Sequence, residues 1–216
     1  MKYLCLLLAL CAPPAQATSL YEAEEFVAPN YLTPLRHGSD AGALLLVTEG
    51  ELAQFLILSS FEPDRAIAVD EIIPKTVRKK YPHWQLVPLH ERQYIITATE
   101  AKGPLKEGVE LSRIERQIGH ELAVAIQRTW ARMLLLTRYP TGSWRGLDGA
   151  TYRFSTFVRG MGRLEGEIWS PDTGLPAEMV ALGEALMEFT VHGVGTEEAL
   201  VARLQAFEAQ LPKPQP

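Results

Sequence analysis

Beyond residue 17 the chain has no cysteine, because its two, Cys5 and Cys11, both lie near the start. Everything downstream therefore lacks a disulfide and a thiol nucleophile. Small extracellular domains without an adequate core depend on disulfides, but a chain of roughly 200 residues buries enough apolar surface to do without them. Long hydrophobic runs are lacking as well. The apolar stretch Tyr3 to Ala12 is ten residues, half of the roughly 20 needed to cross a bilayer, so no transmembrane anchor is expected. An excess of positive charge is also missing: 21 Lys and Arg stand against 26 Asp and Glu, a net charge of −5. Nucleic-acid binding depends on neutralising phosphates, so nucleic acid is a poor partner for this chain. No internal repeat is visible, and the 47% hydrophobic content is that of an ordinary globular protein.

What is present begins with an export signal. Lys2 supplies the positive start, the ten-residue apolar run follows, and Pro13 and Pro14 break it. Ala15-Gln16-Ala17 is a small-x-small cleavage pattern, which places the cut between Ala17 and Thr18. A buried N-terminal helix is the competing reading. A lipid anchor would need a cysteine directly after a small residue, and Cys11 follows Leu10. The expected organisation is a signal peptide over 1–17, a single domain over 18–211 and a proline-rich tail over 212–216. The Ala- and Leu-rich composition suits a periplasmic or secreted protein.

Along the chain, residues 18–30 suggest a short acidic helix and 31–42 a loop. Two apolar runs flank Thr48-Glu49-Gly50-Glu51, which reads as a strand hairpin, with a helix over Leu52 to Leu58 as the alternative. Strands are expected over Arg65 to Ile73 and over Arg92 to Glu100. Ser112-Arg113-Ile114-Glu115 has the form of a capping box. Ile114, Ile118, Leu122, Ile126, Trp130 and Leu134 then recur at i+4, predicting a long helix to about Arg138. Thr151 to Val158 and Arg163 to Trp169 predict a hairpin turned by Arg159 to Gly162. A helix from Pro176 should bury Met179, Leu182, Leu186 and Phe189, and stop at Gly193 and Gly195. Thr196 should cap a last helix that buries Leu200, Leu204, Phe207 and Leu211. The fold class expected is α+β, with antiparallel strands packed on a long central helix and two C-terminal helices.

Motifs for catalysis, metal or cofactor are incomplete. His120-Glu121 matches half of H-E-x-x-H, but Val124 stands where the second histidine belongs. Gly193-Val194-Gly195 follows a helix rather than a strand, so it is not a dinucleotide loop. Ser39, Ser155 and Ser170 have no nucleophile elbow around them. Glu165 and Glu167 share a strand face near Arg153, Arg159 and Arg163, which reads as cross-strand charge pairing on an exposed face. No catalytic residue, metal ligand or cofactor is assigned.

The most distinctive charge feature is Lys75, Arg78, Lys79 and Lys80, running into Tyr81, His83 and Trp84. In an acidic chain this is a local positive field, and an adjacent aromatic suits a binding surface. Lys75, Arg78, Lys79, Lys80 and Trp84 are the candidate binding residues, with an acidic envelope protein or an anionic polymer as partner. A solvated helix face is the plainer reading.

The segment from Trp144 to Pro176 concentrates glycine and tryptophan. Gly146-Leu147-Asp148-Gly149-x-x-Tyr152-x-Phe154, Gly166-x-x-Trp169-Ser170-Pro171 and Leu182-x-Glu184-Ala185-Leu186 resemble a module of secreted proteobacterial proteins whose chemistry is unassigned. The resemblance covers about the last third of the chain. It implies the hairpin-then-helix arrangement and an envelope setting, and no activity.

Two functions follow as expectations. One is a non-enzymatic periplasmic binding protein, of inhibitor or immunity type. The other is a small envelope hydrolase, which would need His120 or His83 within reach of both a carboxylate and a hydroxyl.

Overall fold

The computed structural model describes residues 30–35, 45, 51–81, 83, 86–139 and 148–212. The expected signal peptide with its Ala17–Thr18 cut, the segment 18–29, Ser39, Trp84, residues 144–147 and the tail 213–216 lie outside them. Six antiparallel strands form one sheet: β1 (Glu51–Ser59), β2 (Arg65–Ile72), β3 (Gln93–Ala101), β4 (Leu111–Ile118), β5 (Ala150–Val158) and β6 (Gly162–Trp169). Their spatial order is β4-β3-β2-β1-β5-β6. Four helices accompany them among the described residues: α1 (Lys75–Lys80), α2 (His120–Leu134), α3 (Gly174–His192) and α4 (Glu197–Gln210). This is the α+β architecture expected, with α2 and α3 packed on the sheet and α4 packed on α2 and α3.

Period-two alternation decides what the helices cover. Phe55 and Ile57 of β1, Ile67 and Val69 of β2, Ile96 of β3, Phe154 of β5 and Ile168 of β6 turn toward them and form the main core. Trp130 of α2 lies edge-on to Phe154, ring centres 5.6 Å apart, and its indole N–H donates to the Gln54 carbonyl at 2.9 Å. Burial of such a side chain contributes on the order of 2 kcal/mol, and the hydrogen bond removes the penalty of a buried N–H.

Residues on the other face of the central strands are buried too. Leu45, Leu56, Ala66 and Ala101 form a second, smaller cluster, with Leu105, Val109 and Leu111 against it. Burial on both faces is why β1 and β2 read as near-continuous apolar runs.

One expectation is overturned. Residues 112–118 are strand, not helix: β4 pairs with β3 in unbroken register from Tyr94↔Ile118 to Ala101↔Leu111. The capping box is therefore not formed, and α2 starts only after Gly119, whose N–H donates to the Glu197 carboxylate at 2.8 Å. Ladder hydrogen bonds to β3 outweigh a helical spacing that rested on Ile114 and Ile118 alone. Residues 46–50, which hold the turn and first arm of the hairpin expected around Gly50, lie outside the described residues. β1 itself is a strand, flanked by β2 on one side and β5 on the other.

The C-terminal helices match expectation. Met179, Leu182, Leu186 and Phe189 are buried along α3. Gly193 ends it in the left-handed conformation, φ 69°, which costs a glycine least. Thr196 Oγ1 accepts from the Ala199 N–H at 3.3 Å and caps α4.

Candidate interaction surface

The candidate cations lie on the connection between β2 and β3, residues 73–92. Pro74 starts α1, and its carbonyl accepts from the Val77 and Arg78 amides at 2.9 Å. The helix has no acidic residue, and Arg78, Lys79 and Lys80 occupy its last turn, where positive charge complements the helix dipole. Nothing in α1 is buried. The connection then closes in a 3₁₀ turn, Leu89–Glu91.

Two clamps order this excursion, the first tying it to β2 and the second closing it on itself. Arg92 donates twice to the Val87 carbonyl, at 3.0 Å each, and pairs with Glu71 at 3.1 Å. Lys80 Nζ and the Tyr81 hydroxyl both donate to Glu91, at 2.8 and 3.2 Å. The hydrogen bond from Lys80 holds the Glu91 carboxyl below its ordinary range, and the same bond, then that with Tyr81, raises the Lys80 ammonium above its own.

The four cations are therefore not equivalent. Lys80 is committed to Glu91. Arg78 Nε donates to the Ile73 carbonyl at 3.1 Å. Lys75 and Lys79 form no ion pair with any described residue. All four are exposed. Beyond them the same excursion exposes Leu86 and Leu89, at 62% and 55%. These two leucines, and the anchoring pair Arg92–Glu71, were not singled out from the sequence. Exposed apolar residues cannot be told from buried ones by composition alone.

The histidines form a separate group. His120, the first residue of α2, sets Nδ1 3.0 Å from the Tyr94 hydroxyl. Burial, and then the Glu71 charge, push the Tyr94 hydroxyl above its ordinary pKa. No carboxylate lies within ion-pair distance of His120 among the described residues. His83 is exposed and has no hydrogen-bond partner there. His90 and His192 each approach a glutamate at 3.9 Å, both on the surface. No histidine thus meets both a carboxylate and a hydroxyl among the described residues.

Serine and carboxylate candidates serve structure. Ser155 is buried and donates to Gln54 Oε1 at 2.8 Å, while Arg163 donates to both. Ser170 Oγ accepts from the Ala150 amide at 2.9 Å. Glu165 pairs with Arg163 at 2.7 Å and Glu167 with Arg153 at 3.0 Å. The second pair corrects the expectation of an exposed face, because Glu167 is only 8% accessible. The segment at Thr33 covers it, exchanging backbone hydrogen bonds with Glu167 at 2.8 and 2.7 Å. Among the described residues no group of three or more His, Cys, Asp or Glu could hold a metal ion, and no helix is long and apolar enough to cross a membrane.

Compared with known proteins, the chain matches no family model, no curated protein and no solved structure.

Proposed function

We propose that the protein is an exported, non-enzymatic binding protein, and that its β2–β3 excursion docks on an acidic envelope protein or an anionic polymer. The observation that carries this reading is the pairing state of α1. Lys75 and Lys79 are exposed with no countercharge among the described residues, beside a helix that has no acid of its own. Charge kept uncompensated on a clamped, ordered element steers an oppositely charged partner. Leu86 and Leu89 add apolar area on the same excursion.

The test compares Lys75→Glu/Lys79→Glu with the parent chain as baits in envelope extract, leaving Lys80 intact so that its bridge to Glu91 survives. A stoichiometric partner retained by the parent, lost by the variant and released by salt supports the reading. A partner held equally by both baits refutes the placement. The hydrolase reading keeps one supporting contact, that of His120 with the Tyr94 hydroxyl, and would be favoured by an envelope ester or peptide hydrolysed by the parent chain and spared by His120→Gln.

A further inference from the structure

The two edges of the sheet are treated differently. At β6 the Thr33 segment pairs with Glu167 and closes part of the edge. At β4 no described residue pairs with the outer side, along eight residues, Leu111–Ile118. The strand has no glycine, proline or bulge within it, and five of its residues, Ser112 to Glu115 and Gln117, are exposed. Ile114 is 39% accessible on the face that the helices cover elsewhere. Regular open edges invite another strand.

Three observations identify which strand. The first is phase. Lys102 N–H donates to the Glu110 carbonyl at 2.9 Å, in the same register that continues along β3 and β4. In an antiparallel ladder the bonded residues alternate. Residues 112, 114, 116 and 118 therefore bond to β3, and the backbone groups of 111, 113, 115 and 117 point outward. A second copy adding antiparallel about a twofold axis must set odd positions against odd positions.

The second observation is charge. A twofold at residue 113 sets Arg113 against Arg113, and one at residue 115 sets Glu115 against Glu115. A twofold at Ile114 sets Arg113 against the partner's Glu115 and Glu115 against the partner's Arg113. Leu111 then faces Gln117, and four residues on each strand exchange about eight main-chain hydrogen bonds. Neither Arg113 nor Glu115 pairs with a described residue, so both charges are free for this exchange.

The third is the apolar contact at the axis. In this register Ile114 faces Ile114 as a non-hydrogen-bonded pair, the closer of the two antiparallel types. The helix layer stops short of it. Arg116 turns inward, its guanidinium 5.0 Å from the Phe189 ring centre and 3.4 Å from the Thr190 carbonyl, so it does not crowd the seam. We infer that β4 is a self-complementary edge, and that two copies of the chain join their sheets through it, with the axis at Ile114.

Charge swaps test the register. Sedimentation velocity over a concentration series at low salt would compare the parent chain, Arg113→Glu, Glu115→Arg and the double swap Arg113→Glu/Glu115→Arg. The parent chain should populate a dimer. Each single swap turns two attractive cross-strand pairs into two repulsive ones and should weaken that dimer by at least about tenfold. The double swap restores complementarity and should return to within about threefold of the parent. Both positions carry exposed side chains, and circular dichroism checks that each variant is folded. Amide exchange at Arg113 and Glu115 should slow as the dimer forms. A chain that stays monomeric throughout overturns the inference. So does a dimer that the single swaps leave unchanged, or one that the double swap fails to recover.

Discussion

Replacing Gly183 by alanine sets two effects of opposite sign against each other. Gly183 lies inside α3, where alanine is favoured over glycine by about 1 kcal/mol. Its Cβ, however, would meet three ring atoms of Phe55, at 2.5, 2.5 and 2.8 Å. The ring has little room to retreat. Phe55 is 1% accessible, and it stacks on Phe154 with centroids 4.9 Å apart and on Tyr152 at 6.1 Å. Overpacking a core costs about 1–3 kcal/mol, and a central strand backs this ring, so the upper half of that range applies. The net expectation is a loss of about 1–2 kcal/mol, near 4 °C in melting temperature for a chain of this size. Urea and thermal denaturation followed by circular dichroism would measure it. Phe55→Leu should relieve the clash, so the double variant should be more stable than the two single losses predict, by about 1 kcal/mol. A Gly183→Ala variant more stable than the parent would refute the close approach of α3 to β1.

Glu208 of α4 accepts from Arg128 at 2.9 Å and from the fully buried Thr129 hydroxyl at 2.8 Å. Glu208→Leu should cost about 2–3 kcal/mol in urea unfolding, because it strands that hydroxyl. Adding Thr129→Val should recover part of the loss, and no recovery would refute the pairing. A second prediction concerns pH. The Glu91 carboxyl is held below its ordinary value of 4.5, first by Lys80. A depressed folded pKa means the contact is fully present above that ordinary value and is lost as pH falls through the lower, folded one. The Tyr81 ring resonances should therefore shift in an NMR titration below pH 4.5 and not above it, and Glu91→Gln should abolish the step.

Elements with a local cause were legible in the sequence. Thr196 announces its helix because a hydroxyl caps an amide three residues on, and β5 and β6 announce their hairpin because alternation and Gly160 act within a few residues. β4 reads as helix because its helical spacing and its capping letters are local, while the bonds that decide it come from β3. Its few apolar residues also follow from its place at the edge, where burial imposes little alternation. The candidate cations were visible as a cluster, but their inequivalence was not. Glu91 selects Lys80 from across the excursion, and no local pattern marks that choice. The Gln54–Ser155–Arg163 network joins β1 to residues about a hundred positions later, which periodicity cannot reach.

The strand order also sets a sequence of events in time. β2, β3 and β4 each pair with the strand just before them, so four strands can zip by local contacts as soon as residue 118 is available. β1 cannot finish. Its second neighbour is β5, with Ala53 opposite Thr156, and closure of so long a loop is slow. Until the hairpin of β5 and β6 arrives, β1 presents a bare apolar rim that Phe154, Trp130 and the helices will later cover. The rate of folding should therefore depend on the last third of the chain, and substitutions in β5 should slow it more than equally destabilising ones in β4.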